Sequence, residues 1–456
     1  MLSKFTHIFK VKPNVFAYYN SLLLKPVYVD SNENALLQKY INGNNVDISD
    51  ELKKSIVDNK IIVDSINEDN ELLINAKSQL LTPYPTIAYF ILSEKCNLAC
   101  KYCFLGNSNK NIHMHQMPSM TTETVERAVE YFAWQTNTHP EWSDHKKEII
   151  FYGGEPLINF EALKHTIDTV RAFQKSKKIT KNLDFSMVTN GLLLDEKKIK
   201  YLKENDVIVS VSIDGVDDEA NVNRIDKNGK SIFNKLMSTL KLIEKMEWQV
   251  GLSITLTKKT IKSVDHIISL LDRFNIRGIS FNLLYSTNDF KVDEQYYLEA
   301  ANFIIDFFKV ARTKGIYEDR ILRKIDSFVN STLYLSDCAA TSGSQIVILP
   351  DGRVGICHGC IENKKNFFTN IDSREPLDNN ALMLKWSQIS PINNLKCMDC
   401  EALGICGGGC PINASNNSSD DVFTAIDQGF CIHAKKTLDF MIKDLYNILI
   451  NEEPLS

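Results

Sequence analysis

The sequence lacks any uninterrupted apolar run of the length that a membrane helix needs, about 20 residues. Its first residues, MLSKFTHIFKVKPN, also lack the apolar centre of a secretory signal. Neither sign of charge dominates, because 57 acidic residues are nearly balanced by 52 basic ones and the formal net charge is -5. These absences argue against a membrane or nucleic-acid partner and predict a cytoplasmic protein.

Cysteine is absent from residues 1–95 and again between Cys103 and Cys338. The eleven cysteines therefore fall into one group of three at Cys96, Cys100 and Cys103 and a second group between Cys338 and Cys431. A disulfide framework is disfavoured, because the number is odd and the cytoplasm is reducing. We therefore interpret the two groups as metal ligands.

Three regions differ in their apolar pattern. Residues 1–80 combine short strand-like runs with helical patterns and predict a small α+β module. Residues 81–330 repeat a strand followed by a helix, which predicts a parallel sheet of six strands in a partial (β/α)6 barrel. Residues 331–456 consist of short segments, glycines and cysteines before a final amphipathic helix, AKKTLDFMIKDLYNILI. Metal ligation can supply the folding free energy of such a region.

The first cysteine group directly follows a predicted strand, IAYFILS, and lies in the segment LSEKCNLACKYCFLG. Three thiolates can hold three irons of a four-iron cluster and leave the fourth iron open to an external ligand. The alternative is a zinc site that a distant histidine completes, such as His113 or His115. The segment HMHQMPSM, which contains both histidines, has no assigned role.

The C-x3-C-x2-C spacing after the first strand of a partial barrel resembles the radical S-adenosylmethionine (SAM) superfamily. The resemblance implies that SAM chelates the open iron and is cleaved to a radical that abstracts a hydrogen atom. The motifs YGGEP, VTNG, VSIDG and NRIDKNGKSIF follow in the order that this family uses. The residues that the resemblance assigns to SAM binding are Tyr102, Gly153, Gly154, Glu155, Thr189, Asn190, Ser212, Asp214 and Arg224.

The second cysteine group, with its run CMDCEALGICGGGC, resembles the SPASM domain, which carries two auxiliary four-iron clusters. The resemblance assigns an outer cluster to Cys397, Cys400, Cys406 and Cys431, and an inner cluster to Cys338, Cys357 and Cys410. Cys360 either completes the inner cluster or leaves one iron open, and we favour ligation. Three [4Fe-4S] clusters and SAM are the expected cofactors, with a zinc knuckle as the alternative for this region.

Enzymes with this combination modify ribosomally made peptides, and many bind the leader peptide through a winged-helix-like recognition element. Residues 1–80 resemble that element in their order of strands and helices. The expected partners are a precursor peptide and an external electron donor such as a flavodoxin or ferredoxin. The predicted reaction is a cross-link, foremost a thioether between a cysteine sulfur and a peptide carbon.

Two alternatives stay open. An anaerobic sulfatase-maturating enzyme would form formylglycine, but such enzymes have an aspartate where this chain has His358. A protein of another class, a zinc-dependent binding protein, would contain zinc instead of iron.

Overall fold

The computed structural model describes residues 1–103, 105, 117–286 and 292–451. His113, His115 and the first part of the segment HMHQMPSM lie outside these residues. Within the described ranges, no helix combines the length and the apolar character that a bilayer crossing requires.

The N-terminal module is a three-stranded antiparallel sheet followed by three helices. Its strands, in the spatial order β1-β2-β3, are β1 (Thr6–Lys12), β2 (Val15–Asn20) and β3 (Pro26–Asp30). The helices are α1 (Ser31–Ile41), α2 (Asp50–Asp58) and α3 (Ile66–Lys77). The sequence pattern did not predict α3, because Ile66 and Ile74 are exposed and its apolar residues form no clean stripe.

The predicted parallel sheet is present. Its strands are β4 (Ile87–Ser93), β5 (Lys147–Gly153), β6 (Leu183–Thr189), β7 (Ile208–Ile213), β8 (Gly251–Thr255) and β9 (Gly278–Asn282). Each pairs in parallel with its neighbour in the sequence, and a short strand β10 (Tyr317–Glu318) extends the sheet beyond β9. Residues alternate between buried and half-buried along β5 and β6, as expected when one face packs more tightly.

Helices connect these strands and cover the sheet. They are α4 (Thr122–Thr136), α5 (Phe160–Lys175), α6 (Glu196–Glu204), α7 (Phe233–Lys245), α8 (Val264–Arg273), α9 (Glu294–Thr313) and α10 (Asp319–Asn330). The repeated order of strand and helix places the ends of β4 to β9 at one edge of the sheet. All the motifs of residues 93–224 follow these strand ends.

The C-terminal region continues the large sheet on its other side. Strand β11 (Gln345–Ile348) pairs in parallel with β4, and β12 (Arg353–Gly355) and β13 (Phe367–Asn370) follow in antiparallel order. The helices are α11 (Ala381–Ser387), α12 (Leu403–Cys406), α13 (Pro411–Asn416) and α14 (Gln428–Asn451). Helix α14 begins at Gln428 and contains Cys431, whereas the sequence pattern placed its start at Ala434.

The N-terminal module packs against the C-terminal region. Phe5, Leu22 and Ala76 of the module share an apolar core with Leu335, Ile392 and Leu403. On the sheet itself, the hydroxyl of Tyr28 donates to the carbonyl of Ile442 in α14 over 2.7 Å. The first and last parts of the chain therefore form one packed unit.

Candidate active site

The loop with the first three cysteines follows β4 and packs directly against the end of β5. The backbone N–H of Gly154 donates to Ser93 O (2.9 Å), and that of Glu155 donates to Lys95 O (2.8 Å). A Cβ atom at Gly153 would overlap the carbonyl of Ser93, and one at Gly154 would overlap that of Lys95. The two glycines of YGGEP therefore allow two backbones to approach each other beside Cys96.

The other side of the cysteine loop is held by the segment that contains Arg224. The N–H of Ala99 donates to Ile225 O over 2.8 Å, and the N–H of Lys101 donates to Asn223 O over 2.9 Å. These two bonds flank Arg224 and fix its backbone beside Cys100. The short motif NRID thus has a structural role that its sequence alone did not predict.

Arg224 and Asp214 form a buried ion pair in this segment. The Nε of Arg224 donates to Asp214 Oδ1 over 2.8 Å, and the two side chains are 8% and 0% exposed. The hydroxyl of Tyr102 also donates to the Asp214 carboxylate, at 2.7 and 2.8 Å from its oxygens. Burial raises the pKa of Asp214, whereas Arg224 and Tyr102 act to lower it. Asp214 thus orients both Arg224 and Tyr102.

Glu155 is buried and binds the end of β6. Its Oε1 accepts bonds from Leu157 N and the hydroxyl of Thr189, and its Oε2 accepts one bond, from Asn190 N over 2.8 Å. Burial raises the pKa of Glu155, and the bonds from Asn190, Thr189 and Leu157 oppose that rise. The side chain of Asn190 continues the network by donating to Asn97 Oδ1 over 2.8 Å. Oε2 keeps capacity for a further donor.

A cavity of about 290 Å³ lies at these strand ends. It is lined by the three cysteines of the first group and by eight of the nine residues predicted to bind SAM: Tyr102, Gly153, Gly154, Glu155, Thr189, Asn190, Ser212 and Arg224. The ninth, Asp214, lies behind Arg224 and is not among the lining residues. The sequence analysis missed Thr255 and Asn282, although their positions at the last residues of β8 and β9 could have indicated them.

The three thiols are close enough to influence one another. Burial raises the pKa of Cys96 to about 12, and Glu155, Cys100 and Cys103 contribute to the rise. Burial also raises the pKa of Cys100 to about 11, while Arg224 opposes that shift. Three thiols around one cavity with an open side form a donor set that fits a four-iron cluster and one external ligand.

A second cavity, of about 630 Å³, adjoins the first and extends to the C-terminal cysteines. Cys100, Cys103, Tyr285 and His358 line both cavities. The second cavity is also lined by Cys338, Cys357 and Cys410, together with Arg320 and Lys101. The first cysteine group and three cysteines of the second group therefore line two adjoining cavities, and the larger one has room for part of a peptide.

The C-terminal cysteines separate into two sets. A hydrogen bond with Cys360 and burial raise the pKa of Cys357, and Cys338 and Cys410 raise it further. In the other set, burial raises the pKa of Cys431, and the thiols that add to the rise are Cys406, Cys397 and Cys400. Cys338, Cys360 and Cys410 thus influence Cys357, and Cys397, Cys400 and Cys406 influence Cys431, while the assignment of each set to a cluster stays a prediction.

All eleven cysteines are free thiols. Within the described ranges, no three His, Cys, Asp or Glu side chains are grouped tightly enough to hold a single metal ion. A four-iron cluster is larger than one ion, so its thiolates are further apart than those of a mononuclear site.

His358 occupies the position next to Cys357 and faces both cavities. Its ring stacks on Tyr89 with a centroid distance of 4.6 Å and lies 5.1 Å from the ring of Tyr152. Burial lowers the pKa of His358 to about 4, so the imidazole is neutral at neutral pH. A neutral, stacked imidazole here replaces the charged aspartate expected of a sulfatase-maturating enzyme.

Comparisons with known proteins agree with this site. Residues 90–271 match the family model described as the Radical SAM superfamily. The radical SAM cyclopropyl synthase TigE of Paramaledivibacter caminithermalis is 25% identical over 99% of this chain and 94% of its own. A cysteine-type anaerobic sulfatase-maturating enzyme of Clostridium novyi is 23% identical over 77% of this chain and 96% of its own.

Residues 90–271 form a radical SAM domain. Among solved structures, anSMEcpe with bound AdoMet and Cp18Cys peptide covers 81% of this chain and 100% of its own, with 20% identity and a TM-score of 0.64. SuiB of Streptococcus suis bound to the precursor peptide SuiA covers 94% and 99%, with 16% identity and a TM-score of 0.50. At these identities the likeness shows the fold.

Proposed function

We propose that this radical SAM enzyme is a peptide maturase that abstracts a hydrogen atom from a ribosomally made precursor peptide and installs a cross-link. The observation that carries the proposal is the extent of the similarity. The match with the cyclopropyl synthase TigE includes 99% of this chain, and therefore the N-terminal module as well as the barrel. The sulfatase-maturating relative from C. novyi matches 77% of this chain.

The two adjoining cavities supply the second argument. One is lined by Cys96, Cys100 and Cys103 and the other reaches Cys338, Cys357 and Cys410, while Tyr285 and His358 line both. A peptide side chain in this space would lie between the two cysteine groups. This arrangement suits a reaction that removes a hydrogen atom and then an electron from the same substrate.

Cys96, Cys100 and Cys103 would hold a [4Fe-4S] cluster whose fourth iron binds SAM. When bound, the cluster and SAM supply the radical that takes the hydrogen atom. Arg224, which Asp214 orients, is suited to bind the carboxylate of SAM, because a guanidinium matches a carboxylate in geometry. The free capacity of Glu155 Oε2 is suited to its amino group.

Two auxiliary [4Fe-4S] clusters complete the proposal. The inner one would be held by Cys338, Cys357, Cys360 and Cys410, and the outer one by Cys397, Cys400, Cys406 and Cys431. Cys338, Cys357 and Cys410 of the inner set line the larger cavity, so a cluster held there could take up the electron that a new bond releases. The outer set would pass electrons to or from an external donor such as a flavodoxin or ferredoxin.

The leader of the precursor would bind the N-terminal module as an added strand. Strands β1 and β3 each pair with β2 alone within the described ranges, so each presents an edge for such a strand.

The foremost reaction is thioether formation between a cysteine sulfur and a peptide carbon. Such a bond breaks one C–H and one S–H bond and forms one C–S bond. The product therefore has two hydrogens fewer and one free thiol fewer than the precursor. A cyclopropane ring, as in the name of TigE, would also remove two hydrogens but would leave every thiol free.

The test uses the full chain, reconstituted anaerobically and mixed with SAM, a reductant and each short peptide that a neighbouring reading frame encodes. We expect about twelve irons per chain for three clusters, together with 5'-deoxyadenosine and a peptide lighter by two hydrogens. Cys96→Ser should abolish 5'-deoxyadenosine, whereas the control Cys360→Ser should retain it. Wild-type protein that holds iron but forms no 5'-deoxyadenosine would contradict the radical reaction.

Mass spectrometry after thiol alkylation separates the possible bonds. One alkylated cysteine fewer identifies a thioether, and an unchanged number identifies a carbon-carbon or carbon-oxygen bond. Conversion of a sulfatase peptide to formylglycine would instead favour the second candidate function, an anaerobic sulfatase-maturating enzyme. The similarity to such enzymes supports this candidate.

A further inference from the structure

Two buried polar atoms on the N-terminal sheet have no hydrogen-bond partner within the described residues. They are the hydroxyl of Tyr19 on β2 and the Nε2 atom of His7 on β1. His7 and Tyr19 are directly opposite each other in the register of these strands, so their side chains lie on the same face of the sheet. Tyr19 is completely buried.

This face of the sheet is directed at the loop that carries Cys397 and Cys400. Burial raises the pKa of Tyr19, and Cys400 raises it further. Burial lowers the pKa of His7, but Glu401 and Asp399, the two neighbours of Cys400, act in the opposite direction. Phe5 and Leu22, which lie next to these two strands, share an apolar cluster with Leu403, and Cys397 packs against that cluster. The two orphan atoms are therefore on a part of the module that contacts the outer cysteine set.

The packing between the module and this set is tight. A Cβ atom at Gly404, two residues before Cys406, would overlap the carbonyl oxygen of Ser21. The ring of Tyr19 stacks on Phe328 of α10 with a centroid distance of 6.2 Å. Tyr19 and Cys406 are both buried in the large apolar core, and Cys400 packs against that core. The phenol is thus fixed at this interface and cannot turn towards solvent.

The neighbouring residue on β2 is a buried tyrosine whose hydroxyl is hydrogen-bonded. Tyr18 is also completely buried, on the opposite face of the strand. Its hydroxyl donates to Asn34 Oδ1 over 2.8 Å and accepts from Gln38 Nε2 over 2.5 Å. Buried hydroxyls are normally bonded. The hydroxyls of Tyr131 and Tyr201 also lack a partner within the described residues, but only the orphan on Tyr19 has a cysteine among the groups that shift its pKa.

We propose that Tyr19 donates its O–H to a sulfur atom of the outer four-iron cluster, so that the N-terminal module forms part of that cluster's environment. The inference rests on the proposed function, which assigns this cluster to Cys397, Cys400, Cys406 and Cys431. A hydrogen bond to a cluster sulfur stabilises the more negative, reduced state and raises the reduction potential. The N-terminal module, which would bind the leader peptide, would thereby also influence the reduction potential of the outer cluster.

The test is a redox titration of the reconstituted full chain, followed by electron paramagnetic resonance. The signal of the outer cluster is the one that disappears in the Cys431→Ala variant. We expect Tyr19→Phe to lower the reduction potential of the outer cluster by about 59 mV. For one electron, this shift corresponds to a change of about tenfold in the ratio of oxidised to reduced cluster. The matched control, Tyr18→Phe, should leave the potential unchanged.

Each result has a definite meaning. A shift in Tyr19→Phe alone supports the proposal, provided that iron content equals that of the wild type. Equal potentials in Tyr19→Phe and wild type would mean that water or another group accepts the bond, and would overturn it. A shift of the same size in Tyr18→Phe would show a general effect of packing and would also overturn it.

Iron analysis separates this inference from the proposed function. About four irons per chain would show that the auxiliary clusters are absent. That result would overturn both the inference and that part of the proposed function. About twelve irons with an unshifted potential would overturn the inference alone.

Discussion

Gly154 shows how strongly one residue can determine this site. Its N–H binds Ser93 O, and the space where a side chain would begin is occupied by the backbone of Lys95. The loop that carries Cys96 thus lies so close to Gly154 that a single methyl group there would push the two backbones apart.

We predict that Gly154→Ala destabilises the protein by about 1–3 kcal/mol, because backbone atoms must move to admit the methyl group. It should also reduce the iron held by the first cysteine group. Urea unfolding and iron analysis measure the two effects. The control is Gly278→Ala on β9, where a Cβ atom would have no neighbour within 4 Å. Equal stability of both variants would show that the loop adapts without cost.

The ion pair of Arg224 and Asp214 leads to a second prediction. Asp214→Asn leaves a buried cation without its counter-charge, and we expect a loss of about 3–5 kcal/mol in the free energy of unfolding. SAM should also bind more weakly, as measured by calorimetry, because Arg224 loses its orientation. Asp195→Asn, which removes a charge from an exposed pair with Lys198, should cost less than about 1 kcal/mol.

At this scale the motifs predicted which residues lie together, whereas the binding of SAM by these residues stays a prediction. Eight of the nine predicted SAM contacts line the cavity, because strand ends of a parallel sheet meet at one edge. The role of Asp214 behind Arg224 was not predictable, since it depends on the fold of residues 214–224. Tyr19 was also not predictable as a site residue, because its strand lies far from the cysteines in the sequence.

At the scale of elements, α10 depends on a buried carboxylate at its start. Glu318 accepts hydrogen bonds from Arg320 N and Ile321 N and is fully buried. Burial raises its pKa from 4.5 to about 7. The helix therefore begins at a group that is protonated more readily in the folded protein than in the unfolded chain.

This shift predicts a pH dependence. Because the folded pKa is the higher one, the contribution of Glu318 to stability is fully present below about pH 4.5 and is lost as the pH rises towards 7. Over this range the free energy of unfolding of the wild type should fall by up to about 3 kcal/mol relative to that of Glu318→Gln. Urea unfolding of both proteins at several pH values measures the difference. A difference that stays constant with pH would show that Glu318 is ionised normally.

Elements were predictable where an apolar run was long. The six runs from IAYFILS to GISFNLL correspond to β4 to β9, because each run places apolar residues at the buried positions of its strand. The strands β10 to β13 contain only two to four residues each, too few for a periodic pattern. Their place in the large sheet depends on pairing with distant strands, which no local pattern encodes.

At the scale of the whole molecule, the shared core of the module and the C-terminal region predicts that they unfold together. Phe5 is completely buried in that core. We expect Phe5→Ala to lower the free energy of unfolding by about 3–5 kcal/mol. It should also make both the first 80 residues and the region after Leu335 sensitive to a protease.

The control for this prediction is Leu37→Ala, which removes a side chain from the module's own core. Proteolysis should then begin within the first 80 residues. If Phe5→Ala also exposes those residues alone, the two regions unfold independently.

The pairing of β11 with β4 has a consequence for the biosynthesis of the protein. Gln345 and Ile87 are register partners, so a strand from the last third of the chain completes the edge beside the cysteine loop. A growing polypeptide exposes β4 on that side until the ribosome has translated three quarters of the message. An open strand edge is a site of aggregation, and pairing over such a separation is slow. Nascent chains stalled before codon 345 should therefore depend on chaperones far more than released ones.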